Sequence, residues 1–248
     1  MAVIQMGQVP FDADLVAFDK DGTLIDFEVM WGRLVVMWVE RLAANEGDEA
    51  LSQALFDALG YDLRRQRTVP QSPLAIASTG QLQAIAAAVL YRHGTPWTEA
   101  LDRAVATYPS GANVPLAGLI QPAGDVGGLL ARLQAAGVRV AVVTTDQRAE
   151  TEETLEFLEI HHLVDATICG DDGLPIKPAP DMLLAACQQL QIAPSRTALV
   201  GDTMADLMMA QRAGAGFRAA VLTGAGDVDR LQGNADVVLG SIDEITLG

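Results

Sequence analysis

Short apolar runs alternate with helical segments along most of the 248-residue chain, and this alternation restricts the fold more than any other feature of the sequence. Runs of β-forming residues occur at 15–18, 138–144, 166–169, 197–201 and 217–222. Helical patterns lie between them, near 125–136, 147–159, 180–190 and 204–213. Strands separated by helices are typical of a parallel sheet covered on both faces. We therefore predict an α/β fold with a doubly wound, Rossmann-like parallel sheet.

The alternation stops between residues 25 and 115, where the pattern is helical and no strand is convincing. Apolar residues at helical spacing predict amphipathic helices at 31–43, 49–59, 80–94 and 98–108. The turn-rich stretch 109–118 is interpreted as a return linker. We therefore predict an α/β core formed by residues 1–24 and 116–248, with an all-helical domain inserted at 25–115.

The balance of charge indicates which partners the chain can have. Its formal net charge of −16 argues against nucleic acid and anionic membranes, because both repel an acidic surface. The sequence has no signal-peptide pattern and no apolar run of about 18 residues, so we expect a cytoplasmic protein. A small soluble substrate is the better prediction, with the protein acting as a monomer or homodimer.

Polar residues follow several of the predicted strands. They are Asp19, Asp21, Gly22 and Thr23 after the first strand, Thr144, Thr145 and Asp146 after the second, Lys177 further on, and Asp202 and Asp206 after the fourth. In doubly wound folds, ligands bind at the carboxyl ends of the strands. Phosphoryl transfer needs a nucleophile, a proton donor, a cation held by oxygen ligands and donors for the phosphate oxygens. The residues after these strands supply all four, although an Asp-Gly turn by itself is also common in solvated loops.

These motifs resemble those of the haloacid dehalogenase superfamily over residues 14–240. DxDGT stands at 19–23, the strand-end hydroxyl is Thr144, the lysine before a Pro-rich helix start is Lys177, and GDxxxD occupies 201–206. The resemblance is greatest to phosphoglycolate phosphatase-like members, in which a helical cap of the C1 type is inserted after the first motif. It implies a phosphatase that hydrolyses a small phosphate monoester of a metabolite through an aspartyl-phosphate intermediate.

The resemblance also implies a role for each matching residue. Asp19 is then the nucleophile and Asp21 the general acid and base, while Thr144, the Thr145 amide and Lys177 bind the phosphoryl group. Mg²⁺ would be held by the Asp19 carboxylate, the Asp21 main-chain carbonyl and Asp202. Asp206 would orient Lys177 or a metal-bound water, and Gly22 and Thr23 complete the motif as supporting residues.

Other functions stay open beside this one. A phosphomutase of the β-phosphoglucomutase kind shares every motif residue and differs in whether a sugar phosphate or water accepts the phosphoryl group. A catalytically inactive binding protein is a further alternative. Dehalogenation is disfavoured, because haloacid dehalogenases lack a proton donor at the position of Asp21. The sequence does not identify the natural substrate, and it leaves the extent of cap closure open.

Three arginines and two residues near the motifs have less certain roles. Arg64, Arg65 and Arg67 form the basic cluster of the insert; they could clamp a carboxylate or a second phosphate of the substrate, or lie in a solvated loop. Lys20 is expected to be exposed between the two acids. Asp146 departs from the usual pattern of the subgroup, and we expect it to cap the helix predicted at 147–159 rather than to repel anionic substrates.

Overall fold

The computed structural model describes residues 2–44, 49–109, 114 and 118–248. The chain packs as two compact units, one formed by Met1–Phe27 and Ile120–Gly248 and the other by Glu28–Leu119. We call them the core unit and the inserted unit. The boundaries expected from the sequence, at 24/25 and 115/116, remain predictions. Most of the expected return linker, at 110–113 and 115–117, lies outside the described residues.

Strands and helices are numbered separately along the chain. The strands are β1 (Ala2–Met6), β2 (Val9–Ala13), β3 (Leu15–Phe18), β4 (Tyr61–Asp62), β5 (Arg67–Thr68), β6 (Arg139–Val143), β7 (Ala166–Ile168), β8 (Thr197–Gly201), β9 (Phe217–Val221), β10 (Val237–Leu239) and β11 (Ile245–Leu247). The helices are α1 (Arg33–Ala43), α2 (Glu49–Leu59), α3 (Pro73–Ile76), α4 (Thr79–Arg92), α5 (Trp97–Ala106), α6 (Val126–Ala135), α7 (Arg148–Phe157), α8 (Asp181–Leu190), α9 (Met204–Ala213) and α10 (Val228–Gln232). A single π-helical turn, Glu28–Gly32, precedes α1.

The core unit is built on a parallel sheet of six strands in the order β10-β9-β8-β3-β6-β7, so the predicted fold class is confirmed. All four residues of the central strand β3 are buried. Val16 and Phe18 pack into one apolar cluster, and Leu15 and Ala17 pack into another. Successive residues of a strand face opposite sides, so β3 contributes to the apolar layers on both faces of the sheet.

A second sheet of the core unit was not predicted. It is antiparallel, in the order β11-β1-β2, and joins the two ends of the chain. Its first turn uses Gly7 at φ +60°, a left-handed conformation that favours glycine. Pro10 is accommodated because β2 is an edge strand, where the missing N–H is not needed by a neighbour.

The inserted unit consists mainly of α1, α2, α4 and α5, which enclose an apolar core of their own. The structure adds the short antiparallel hairpin β4-β5, in a region where the sequence predicted helices alone. Trp38 on α1 lies in this core, 2% exposed, and its ring is edge-on to Tyr108 at a centroid distance of 5.0 Å. Its indole N–H donates to the carbonyl of Ala104 at 3.2 Å. No helix among the described residues combines the length and apolarity needed to cross a bilayer.

Trp38→Ala is expected to destabilise the inserted unit by about 3–5 kcal/mol, because it leaves a large cavity and removes the donor to Ala104. Urea denaturation followed by circular dichroism would measure the loss. Trp97→Ala is the matched control, since Trp97 is 48% exposed and its removal opens no buried cavity. Equal losses of stability in the two variants would contradict the central packing role of Trp38.

Candidate active site

The register of the parallel sheet brings three strand ends together. Phe18 at the end of β3 is paired with Val142 of β6 on one side and with Val200 of β8 on the other. The residues that follow these positions therefore leave the sheet at the same edge, beside the central strand. They include Asp19, directly after β3, and Asp202, directly after β8, which the sequence predicted to meet there.

Lys177 lies at the centre of this edge and contacts two carboxylates. Its ammonium donates to Asp19 Oδ1 and to Asp206 Oδ1, at 2.6 Å each. The Lys177 side chain is 4% exposed and that of Asp206 is 1% exposed. Burial acts to lower the pKa of Lys177, but the charges of Asp19 and Asp206 outweigh it and hold the pKa above its usual value. Lys177 is therefore a fixed positive charge.

Asp206 has both carboxylate oxygens engaged. Oδ1 accepts from Lys177, and Oδ2 accepts from the backbone N–H and the hydroxyl of Thr203. The Thr203 hydroxyl in turn accepts from the Asp206 N–H, so the two residues form the capping box of α9. Asp206 is thereby held in place against Lys177.

Asp202 belongs to a cluster of three buried carboxylates that could hold a cation. Oxygens of Asp19, Asp202 and Asp206 lie within 4.8 Å of one another. Asp202 Oδ2 accepts from the Ala225 N–H at 3.0 Å, whereas the buried Oδ1 has no hydrogen-bond partner among the described residues. Burial, followed by the charges of Asp19 and Asp206, raises the pKa of Asp202 well above its usual value. Three carboxylates against one ammonium leave an excess of buried negative charge, and hard oxygen donors of this kind suit a divalent cation such as Mg²⁺.

The loop after β9 completes the surroundings of Asp202, although the sequence did not single it out. A side chain on Gly224 would place its Cβ 1.8 Å from Asp202 Oδ2, so only glycine fits there. The Thr223 hydroxyl donates to the carbonyl of Gly22 at 2.6 Å, and Gly22 adopts φ +82°. The available signal was the position of this loop, directly after a predicted strand.

Asp21 lies in a second charged group on the same edge. The Lys20 ammonium is 2.7 Å from Asp21 Oδ1 and 2.7 Å from Asp146 Oδ2. Burial, followed by the charge of Asp146, raises the pKa of Asp21 to about 8, against the opposing effect of Lys20. Burial also opposes ionisation of Asp146, but Lys20 outweighs it and holds the pKa of Asp146 below its usual value. At neutral pH this arrangement favours a protonated Asp21 beside an ionised Asp146.

Two expectations are wrong at this point. Lys20 is not exposed, since its side chain is 1% accessible. Asp146 does not cap α7, whose N-cap residue is Gln147, without a side-chain cap. Both errors have one cause, because each side chain is the other's partner and the contact joins loops more than a hundred residues apart in sequence.

The remaining core residues of the predicted site differ in exposure. Thr144 is buried and its hydroxyl accepts from the Asp146 N–H at 3.2 Å, which leaves the O–H available to donate. Thr145 is exposed at the same strand end. Thr23 is fully buried in the turn after β3, where the N–H groups of Thr23 and Leu24 both donate to the Lys20 carbonyl.

The three arginines lie in the inserted unit, around the turn of the β4-β5 hairpin. All three side chains are exposed. The backbone N–H groups of Arg64 and Arg65 donate to Asp62 Oδ1, which fixes the turn. That these arginines clamp a carboxylate or a second phosphate of the substrate remains a prediction.

The chain matches known proteins along most of its length. A family model described as haloacid dehalogenase-like hydrolase matches residues 13–214. A plasmid-encoded phosphoglycolate phosphatase of Cupriavidus necator is 29% identical, over 84% of this chain and 81% of that protein. A pyrophosphatase of Bacillus cereus is 34% identical, but the match covers 33% of this chain and 38% of that protein.

Similarity to solved structures extends over both units. The crystal structure of a predicted phosphoglycolate phosphatase from Haemophilus somnus has a TM-score of 0.68 with this chain. It is 19% identical, and the match covers 93% of this chain and 95% of the other. At this identity the comparison bears on the fold alone.

Proposed function

Since this chain belongs to the haloacid dehalogenase-like hydrolase family, we propose that it is a Mg²⁺-dependent phosphatase. Asp19 is phosphorylated by the substrate, and water then hydrolyses the aspartyl-phosphate. It acts as a phosphoric monoester hydrolase on a small phosphorylated metabolite. The observation that carries the proposal is the Lys177 ammonium, 2.6 Å from both Asp19 Oδ1 and Asp206 Oδ1, at the carboxyl edge of the sheet. A buried cation held by carboxylates at this edge suits a transferring phosphoryl group.

In the first step, an oxygen of the Asp19 carboxylate attacks phosphorus and the bond from phosphorus to the ester oxygen breaks. Asp21, protonated at neutral pH by the burial and the Asp146 charge described above, gives its proton to the leaving oxygen. The alcohol departs and the phosphoryl group stays on Asp19. A covalent intermediate of this kind divides one difficult displacement into two easier ones.

In the second step, Asp21 takes a proton from water as the water oxygen attacks phosphorus. The bond from phosphorus to Asp19 breaks, phosphate leaves, and the protonated Asp21 is restored. Lys177 neutralises charge on the phosphoryl oxygens in both steps, and the Thr144 hydroxyl donates to one of them. The Thr145 amide is assigned to the same oxygens.

The Asp19 carboxylate, the Asp21 main-chain carbonyl and Asp202 would hold Mg²⁺, which offsets the like charges of phosphate and carboxylate. Both oxygens of Asp206 are engaged by Lys177 and Thr203, which favours a positioning role for Asp206 over a ligand role. The unsatisfied Oδ1 of Asp202 supports its assignment to the metal.

The substrate is proposed to be a phosphoglycolate-like monoester, in line with the name of the Cupriavidus necator relative. Incubation with phosphoglycolate, pyrophosphate and β-glucose 1-phosphate, with phosphate release and product both measured, would test this. Phosphate release from phosphoglycolate supports the proposal. Conversion of β-glucose 1-phosphate to the 6-phosphate, with little phosphate released, would instead identify the phosphomutase.

Removal of the metal is expected to abolish hydrolysis of p-nitrophenyl phosphate, because Asp19 and the substrate would then repel each other. EDTA should remove activity, and excess MgCl₂ should restore it. Asp202→Asn is expected to raise the Mg²⁺ concentration for half-maximal activity at least about 10-fold. Mg²⁺ should also raise the Tm of the wild type more than that of the variant. Full activity in EDTA would exclude the metal site.

A further inference from the structure

Lys20 is a buried ammonium that the steps above leave unassigned. Its side chain is 1% exposed, and its Nζ lies at 2.7 Å from one oxygen of Asp21 and one of Asp146. Neighbouring residues of a regular strand point to opposite faces, so Lys20 and Asp21 can meet only because the chain turns after β3. A buried lysine costs several kcal/mol unless it is paired, whereas an apolar residue fills such a space without that cost.

The backbone on both sides of this contact is anchored. The Lys20 carbonyl accepts from the N–H groups of Leu24 and Ile25, at 2.8 and 3.1 Å. The Asp146 carbonyl accepts from the Gly170 N–H at 2.8 Å, and the Asp146 N–H donates to the Thr144 hydroxyl. The two charges therefore project from fixed loops, one carrying the proposed acid and the other carrying a proposed phosphate ligand.

We propose that Lys20 and Asp146 are positioning residues, which together hold the Asp21 carboxyl in the orientation that delivers its proton to the leaving oxygen. Lys20 fixes one oxygen of Asp21, and Asp146 fixes Lys20 from the opposite loop. The inference rests on the proposed function, in which Asp21 is the proton donor. Neither residue of the pair is assigned a contact with phosphate or metal, so the pair acts on the leaving-group side of the reaction.

The test compares phenyl phosphate with p-nitrophenyl phosphate, which have similar shapes but differ in how much their leaving oxygen needs a proton. When the proton donor is misplaced, the kcat/KM of the enzyme falls further for phenyl phosphate than for p-nitrophenyl phosphate, because phenolate is the more basic leaving group. Lys20→Met is expected to lower kcat/KM about 10-fold more for phenyl phosphate than for p-nitrophenyl phosphate. Asp146→Asn, which keeps the shape and an acceptor, should shift the same ratio by a smaller factor.

The double variant Lys20→Met/Asp146→Asn removes both charges together. It is expected to be less impaired than Lys20→Met alone, because no uncompensated Asp146 carboxylate is left beside Asp21. Asp102→Asn is the control for Asp146→Asn, because it removes one negative charge at an exposed position on α5. It should leave the ratio of kcat/KM between the two substrates unchanged. If Lys20→Met does not fold, the ratio of kcat/KM between the two substrates is measured in Asp146→Asn and in the double variant instead.

Two outcomes would overturn the inference. One is an equal fall in kcat/KM for both substrates in the pair variants, which is what a purely structural role predicts. The other is a double variant whose loss equals the product of the two single losses. Failure of the proposed function is distinguishable, because the wild type would then lack Mg²⁺-dependent activity on p-nitrophenyl phosphate altogether.

Discussion

Asp19→Asn is expected to reduce kcat for p-nitrophenyl phosphate by roughly 10³-fold or more, corresponding to about 4 kcal/mol of activation free energy. The amide keeps the shape of the carboxylate and can still accept a hydrogen bond from Lys177, but it is not a nucleophile toward phosphorus. Steady-state kinetics with saturating Mg²⁺ would measure the effect. Residual turnover above one per cent of wild type would remove Asp19 from the role of nucleophile.

The same variant should retain or gain stability when Mg²⁺ is absent. Burial, followed by Asp206 and against the effect of Lys177, raises the pKa of Asp19 to about 6. Ionising Asp19 therefore costs more in the folded than in the unfolded protein, so stability falls as the pH rises from about 4, the usual pKa of an aspartate, through about 6, and a neutral amide avoids this cost. A Tm at or above that of wild type at pH 7.5 in EDTA would show that lost turnover reflects chemistry. Asp102→Asn serves as the control for the change in net charge.

Much of the site was predictable because chemistry and topology coincide in this fold. Each parallel strand ends at the same edge, so polar residues directly after apolar runs are expected to be neighbours there. Asp19 and Asp202 were predicted in this way, and the register of β3 against β8 places them together. The contact of Lys177 with Asp206 needed the family pattern as well, since Lys177 follows a loop rather than a strand.

The pair of Lys20 and Asp146 could not be predicted because it depends on side-chain direction. A lysine between two acids on a turn is usually solvated, and an aspartate before a helix is usually a cap. Whether the two meet is decided by how far each loop bends after its strand, which local sequence does not specify. The departure of Asp146 from the usual pattern was the available signal, and its partner, Lys20, lies in the loop after another strand.

The short strands were missed for a different reason. β4 and β5 have two residues each, too few for alternation to be recognised. In β1, by contrast, Ile4 and Met6 are fully buried, whereas Val3 is exposed. This alternation of burial is not visible in the sequence, because the exposed Val3 is as apolar as its buried neighbour Ile4, so Gly7 was the available signal for a hairpin.

Lys177→Ala is expected to reduce kcat/KM by about 10²–10³-fold, the scale observed when one preorganised donor is removed from a transition-state site. The loss should appear in both kcat and KM, because the ammonium meets the phosphoryl oxygens before and during transfer. Lys177→Arg should not restore activity, since a planar guanidinium is too broad for a buried position 2.6 Å from two carboxylates.

Arg212→Ala is the matched control for this change. Arg212 is an exposed cation that donates to the carbonyl of Pro178, next to Lys177, and it is not assigned a contact with the substrate. Its removal is expected to leave kcat/KM within about 3-fold of wild type, as for a surface substitution. If Lys177→Ala stayed within 10-fold of wild type, or Lys177→Arg kept most of the activity, Lys177 would not be the phosphate ligand. The phosphoryl oxygens would then need another cation, and Arg64, Arg65 and Arg67 would be the next to test.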